Sequence, residues 1–269
     1  MPKGYTLPRT PLGRSSLVPA PPWHYAGDCL AVEYRADAAA VRAFLPERLE
    51  PASGEAAGRA CAYFVEWQAA TDEGEEYLDP ARSQYCETIF LVAASWRGEP
   101  VSFCPFIFVD QDVSLLRGWI QGWPKMIGTT RVTRTSPLAS RAAPALGPGG
   151  RFGATLASKE RRLAEAVVTL RETSPSLPQP GFARAVNVRH FPSLARGRHG
   201  EPALHELVQL RSRDAAFSTV WKGEASLQVN DHPYLELPAL RPLEVLAGYR
   251  FSFAMTVDDL ALLEDLRER

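Results

Sequence analysis

Short runs in which apolar and polar positions alternate, or in which β-branched and aromatic residues crowd together, recur along the chain between clusters of Gly, Pro, Asn and Asp. A period of two is that of a pleated strand. It predicts strands over 28–35, 59–68, 85–96, 101–110, 127–134, 151–157, 162–172, 185–190, 205–213, 217–229 and 248–256. "RGEP" at 97–100 joins two of them tightly enough for a hairpin, and "GPGG" at 147–150 is a further turn. The helical period shows in three places. "DAAAVRAFLPERL" opens on Asp37 as an N-cap and must stop before Pro46. "DVSLLRGW" (112–119) and "TVDDLALLEDLRER" (256–269) also read as helices. Residues 1–22, rich in Pro, Gly and Ser, are expected to form an irregular N-terminal arm, and residues 23–269 a single domain. Many strands and few helices predict an α+β, mainly β fold: an antiparallel barrel or sandwich with peripheral helices.

At 269 residues the chain can bury a substantial core, and its formal charge of −1 creates no net field toward nucleic acid or an anionic membrane, so neither partner is expected. No apolar run approaches the ~18 residues of a membrane helix, and the opening residues lack the apolar stretch of a signal peptide, so a cytoplasmic protein is expected. Cys29, Cys61, Cys86 and Cys104 lie in separate apolar runs without C-x-x-C spacing and read as buried thiols. The histidines form no H-x-x-x-H pair, and no dinucleotide or phosphate loop is present; no metal and no organic cofactor is expected.

The candidate chemistry lies in "RGWIQGWPKMIG" (117–128). Of 30 basic residues four are lysine, and one of these, Lys125, follows a proline among tryptophans, Met126 and Ile127. Arginine serves wherever a positive charge suffices, but its guanidinium cannot become a neutral nucleophile. An amine shielded from water loses its proton more readily and can attack a ketone or 2-oxo acid to form a Schiff base. The alternative is that Lys125 snorkels past the tryptophans to water. Arg117, Gln121 and Lys125 recur every four residues, which aligns them in a helix, although Pro124 argues against helix up to Lys125. Each has a chemical use: Arg117 to hold a carboxylate, Gln121 to orient a carbonyl or hydroxyl, Lys125 to attack, with Trp119 and Trp123 keeping the pocket dry. In "SQYCETIFLV" alternation places Tyr85, Glu87 and Ile89 on one face of a strand. A carboxylate there is a general acid/base or the partner of a buried arginine if the face is internal, and simply solvated if it meets water.

These segments resemble the acetoacetate decarboxylase superfamily. "GWPKMIG" is similar to that family's aromatic–proline–lysine segment, "CET" to a stretch with an active-site acid, and "PPWHYAGDCLAVEYRADAAAVRAFLPERLEP" to its first strand, helix and turn. The resemblance implies a curved antiparallel sheet forming a cone-like barrel, Lys125 as the Schiff-base residue at its apolar floor, Glu87 in the active site, and a homo-oligomer, dimer or tetramer. Two positions depart from the decarboxylase, and a third from another relative. Met126 replaces a second lysine, "YAGDC" around Gly27 lacks an arginine, and Met255 stands where a relative carries tyrosine. "RGWIQGWPK" and "EYLDPARSQY" look more like the branch that uses its lysine on pyruvate, with Arg117 and Gln121 at substrate-contacting positions. The expected activity is therefore a cofactor-independent Schiff-base lyase that joins pyruvate or a related 2-oxo acid to an aldehyde and dehydrates the product. Lys125, Glu87 and Gln121 would be catalytic, and Arg117, Trp119, Trp123, Met126, Met255 and Tyr85 would contact substrate. The alternatives are β-keto acid decarboxylation and non-catalytic binding of a small molecule on the same fold.

Overall fold

A computed structural model describes residues 1–72, 74–138 and 140–267. The first strand, β1 (Trp23–Arg35), leads into α1 (Ala38–Phe44), whose N-cap Asp37 accepts a hydrogen bond from the Ala39 amide at 2.9 Å and which stops short of Pro46. There follow β2 (Glu50–Pro51), β3 (Arg59–Thr71), α2 (Pro80–Ser83), β4 (Gln84–Trp96) and β5 (Glu99–Val109). Between β4 and β5 the two turn residues Arg97 and Gly98 take φ of 52° and 81°, the left-handed pair that matches the twist of a tight hairpin. Next come α3 (Asp112–Ile120), β6 (Lys125–Ile127) and β7 (Thr129–Val132). The remainder is β8 (Arg151–Ser158), β9 (Arg161–Ser174), β10 (Val186–Phe191), β11 (Leu204–Phe217), β12 (Val220–Val229) and β13 (Glu244–Asp265).

All these strands belong to one sheet, mostly antiparallel, whose main path runs β6-β5-β4-β3-β1-β13-β12-β9-β8-β7. Its two ends, β6 and β7, are consecutive in the chain and separated by Gly128 alone. The curved sheet is not closed by a strand ladder; the chain itself bridges its edges. That seam is stitched by Ser158 Oγ donating to Ile127 O at 2.6 Å, by the Gly128 amide donating to Val109 O at 2.9 Å, and by the Thr88 and Thr130 hydroxyls, 2.6 Å apart. Apolar residues cover both faces. One cluster holds Trp23, Tyr25, Tyr63, Trp67, Tyr85 and Ile89, the other Tyr34, Phe64, Phe90, Phe108 and Phe152. Successive residues of β4 alternate between these two cores.

Two expectations need correction. The final segment, predicted as a helix over 256–269, continues β13 as far as Asp265, pairing with β11 through Leu210↔Leu260 and Val208↔Leu262. Its helix-forming composition is overridden by the open edge that β11 offers. Cys29, Cys61 and Cys104 are buried, but Cys86 is only half-buried. Among the described residues no helix is long and apolar enough to cross a membrane.

Candidate active site

The segment 117–128 folds as helix, stop, turn and strand. Helix α3 ends in paired backbone hydrogen bonds, the Trp123 amide to Gly118 O at 2.9 Å and the Gly122 amide to Trp119 O at 3.2 Å. This closing arrangement requires a left-handed residue, supplied by Gly122 at φ 84°. Pro124 then prevents further helix, and Lys125 opens β6, which pairs in parallel with β5 at Ile107↔Lys125. The reversal brings the lysine stem back across its own helix. A Cβ on Gly118 would lie 2.3 Å from Cδ and 2.5 Å from Cε of Lys125. Glycine at 118 is therefore what lets the stem pass.

The amine at the end of that stem is buried. Its Nζ lies 2.5 Å from Glu87 Oε2 and donates to Ser114 Oγ at 2.9 Å. The other carboxylate oxygen, Oε1, accepts from Trp67 Nε1 at 3.1 Å. Burial pulls the Lys125 pKa below its ordinary value of 10.5; the Glu87 carboxylate opposes this, and the charge on Arg117 adds to it. The cation that Met126 does not provide is thus supplied in part by Arg117.

Around the amine is a cavity of about 40 Å³, room for about three waters. Tyr25, Trp67, Tyr85, Glu87, Gln121 and Trp123 line it, and Met255 stands at its rim. Gln121 Nε2 donates to the Tyr25 hydroxyl at 3.3 Å. Burial raises the pKa of Tyr25 and lifts that of Tyr85 well above the ordinary 10.0, so both remain phenols with a proton to donate.

The structure therefore brings Lys125, Glu87, Gln121, Tyr85, Trp123 and Met255 to one cavity and leaves three of the expected residues off its wall. Arg117 is buried behind the aromatic rings, its guanidinium carbon 4.9 Å from the Tyr25 ring centre and 5.7 Å from that of Tyr85. Its charge reaches the cavity through those rings. Trp119 is 44% exposed; it anchors the backbone by donating from Nε1 to Lys125 O at 2.9 Å. Met126 follows Lys125 in a strand and so points to the opposite face, among Phe108 and its neighbours. It does not make the cavity more apolar.

Of the side chains that hydrogen-bond Lys125, Glu87 or Gln121, three were not among the expected residues: Tyr25, Trp67 and Ser114. Strand β1 begins five residues before the predicted one, at Trp23, and this extension carries Tyr25, which lies opposite Met255 in the β1–β13 register. Trp67 stands across from Tyr85 in the β3–β4 pairing, so the alternation that marks Tyr85 and Glu87 could have marked it too. Its position also accounts for Gly27. A Cβ there would lie 2.5 Å from the Trp67 ring, so the space an arginine side chain would need is filled by the indole that bonds Glu87.

The family model for acetoacetate decarboxylase matches residues 6–266. Among characterised proteins, the chain is 25% identical over 258 residues to an acetoacetate decarboxylase of Chromobacterium violaceum, covering 95% of this chain and 92% of that one. Among solved structures, the enduracididine biosynthesis enzyme MppR is 36% identical with a TM-score of 0.92 over 99% of this chain and 98% of that one. That structure holds the condensation product of pyruvate and imidazole 4-carboxaldehyde. MppR complexed with pyruvate superposes with a TM-score of 0.91 at 36% identity, covering 98% and 99% of the two chains. An acetoacetate decarboxylase-like enzyme from Sphingomonas wittichii RW1 is 27% identical, with a TM-score of 0.88 over 98% of this chain and 100% of that one.

Proposed function

This chain belongs to the acetoacetate decarboxylase family, whose enzymes are lyases acting through a Schiff base, and we propose that it condenses pyruvate or a related 2-oxo acid with an aldehyde and dehydrates the product. The observation that carries this reading is the buried Lys125 amine 2.5 Å from Glu87, in a cavity that Gln121, Tyr25 and Tyr85 also line. The MppR structures holding pyruvate and a pyruvate–aldehyde condensation product support the choice of substrates.

Glu87 takes a proton from Lys125, and the neutral amine adds to the ketone carbon of pyruvate. Glu87 returns the proton to the former ketone oxygen and then relays a second one to it from the nitrogen, so that this oxygen leaves as water and a protonated imine remains. This cation withdraws electrons from the adjacent methyl carbon, whose proton passes to Glu87, and the resulting enamine attacks the aldehyde carbon. The aldehyde oxygen gains a proton beside Gln121 and Tyr25. A second proton then leaves the same carbon, the new hydroxyl departs as water, and a final water hydrolyses the imine. One C–C bond is made and one water is released net, with no change in oxidation state overall. Tyr25, whose hydroxyl already accepts from Gln121, has its own proton to offer the substrate carboxylate, as has Tyr85, with the Arg117 charge behind both. Arg117 in this reading works through the phenols.

A second reading is decarboxylation of a β-keto acid, favoured by the Chromobacterium violaceum relative; the same protonated imine would accept the electrons freed by loss of CO2. Incubation with pyruvate and benzaldehyde separates the two. The first reading expects a conjugated unsaturated oxo acid, seen by absorbance and mass, with wild type and none with Lys125→Ala. Release of CO2 from acetoacetate, with no condensation product from any aldehyde tried, would select the second.

A further inference from the structure

The cavity around Lys125 is walled by buried side chains except on one side, where Phe182, Leu210 and Met255 are partly exposed and Ser212 is exposed. Beyond that side lies a larger hollow of about 430 Å³, which shares Phe182, Ser212 and Met255 with the cavity. Its size falls in the range of small-molecule sites, about 300–1,000 Å³. Tyr63, Phe217, Phe251 and Phe253 give it an apolar lining. Two cations on its wall stand against carboxylates: Arg59 Nε is 3.2 Å from Glu33 Oε1, and Arg184 Nη2 is 3.2 Å from Glu99 Oε2.

The hollow is held open by fixed bonds. The Tyr63 hydroxyl shares its proton between Pro178 O at 3.1 Å and Pro180 O at 2.7 Å, and Ser102 Oγ donates to Gly181 O at 2.8 Å. These anchors hold the segment that carries Phe182, whose ring stacks on Phe253 with centres 5.6 Å apart and planes 20° apart. Phe182 is thereby set as a post between the two spaces.

We propose that this hollow binds the substituent of the aldehyde, and that the aldehydes used carry an uncharged apolar ring or chain. The inference rests on the reading of Lys125 as the Schiff-base nucleophile. An enamine on Lys125 must meet the aldehyde carbon at about 3–3.5 Å, inside a cavity that the oxo acid already occupies. The rest of the aldehyde therefore leaves by the partly exposed side, between Phe182 and Met255, and enters the hollow. There an apolar group leaves water for a mostly apolar lining, whereas a polyhydroxylated or phosphorylated one loses hydration for few partners, Arg59 and Arg184 being already set against Glu33 and Glu99.

Two measurements test this. In the first, kcat/KM with pyruvate is measured for straight-chain aldehydes from propanal to octanal and for glyceraldehyde. A rise of about threefold to fourfold per methylene is expected until the hollow is filled, with glyceraldehyde below propanal. In the second, cinnamyl alcohol, which has no carbonyl to react, is titrated calorimetrically into wild type, Ala183→Trp and Ala52→Phe. Both alanines line the hollow; Ala183 is exposed and Ala52 half-buried, so neither change invades the core. Binding is expected to weaken at least about tenfold in each variant, while trapping of pyruvate on Lys125 stays at the wild-type level. A flat dependence on chain length, no alcohol binding by wild type, or equal binding by all three proteins overturns the inference. If alcohol binding behaves as expected but pyruvate is never trapped, the Lys125 reading falls and the hollow remains an apolar ligand site.

Discussion

The stem of Lys125 runs against the backbone of Gly118 so closely that a single methyl group at 118 would lie 2.3 Å from Cδ. The helix stop at Gly122 turns the chain back, and the turn-back makes glycine at 118 necessary.

Gly118→Ala is therefore expected to push the amine away from Glu87 while leaving the fold intact. Overpacking of this kind costs about 1–3 kcal/mol. A displacement of the reacting group by an ångström costs about 10²-fold in rate. Thermal unfolding and kcat/KM measured on one preparation should show a modest loss of stability beside a large loss of activity. Wild-type turnover in Gly118→Ala would mean that the stem has room the geometry denies it.

Glu87 and Arg117 act on the Lys125 amine in opposite senses: the carboxylate favours the ammonium and the guanidinium disfavours it. Activity requires the neutral amine, so the acid limb of the kcat/KM profile follows the Lys125 pKa. Glu87→Gln, though slow, is expected to move that limb to lower pH, and Arg117→Met to move it to higher pH. Shifts in the same direction would remove Arg117 from the electrostatics of the site.

The sequence made the alternation of β4 plain enough to place Tyr85 and Glu87 together, and Pro124 announced the break before Lys125. What it hid followed from pairing. Whether Met126 shares the lysine's face depends on whether Lys125 is already in a strand, and only the parallel pairing with Ile107 decides that. Arg117 at helical spacing from Gln121 looked like a direct clamp; the rings of Tyr25 and Tyr85, contributed by two other strands, stand between it and the cavity. "VDDLALLEDL" has the composition of a helix and is a strand because β11 needs a partner.

The site has a stability cost that can be measured. A buried ion pair attracts internally but loses its hydration, and well-packed neutral replacements often stabilise by about 1–4 kcal/mol. Lys125→Met combined with Glu87→Gln is expected to unfold at higher denaturant than wild type, since the amide oxygen introduced by Glu87→Gln can still accept from Trp67. Lys125→Met alone strands the carboxylate and is expected to cost about 3–5 kcal/mol. Equilibrium urea unfolding checks the order double variant, wild type, single variant; a double variant less stable than the single one contradicts it.

The same lysine gives stability a pH dependence of definite sign. Its folded pKa lies below the unfolded value near 10.5, so between the two the unfolded chain binds more protons and stability rises with pH. Below the folded pKa the full penalty applies. Buried tyrosines such as Tyr85 have raised values and act the other way above about pH 10, so the lysine is read as a difference. The stability of wild type minus that of the double variant is expected to increase as pH rises toward 10.5. A difference that is flat with pH would mean an amine with ordinary basicity.

Every step of the proposed chemistry starts from Lys125 as a nucleophile, and reductive trapping reads that directly. Wild type incubated with pyruvate and borohydride near neutral pH is expected to gain the mass of one reduced pyruvate adduct, and peptide mapping to place it on Lys125, with none on Lys125→Ala. A Lys125 peptide that stays unmodified, or an adduct that forms equally in the variant, would contradict that role.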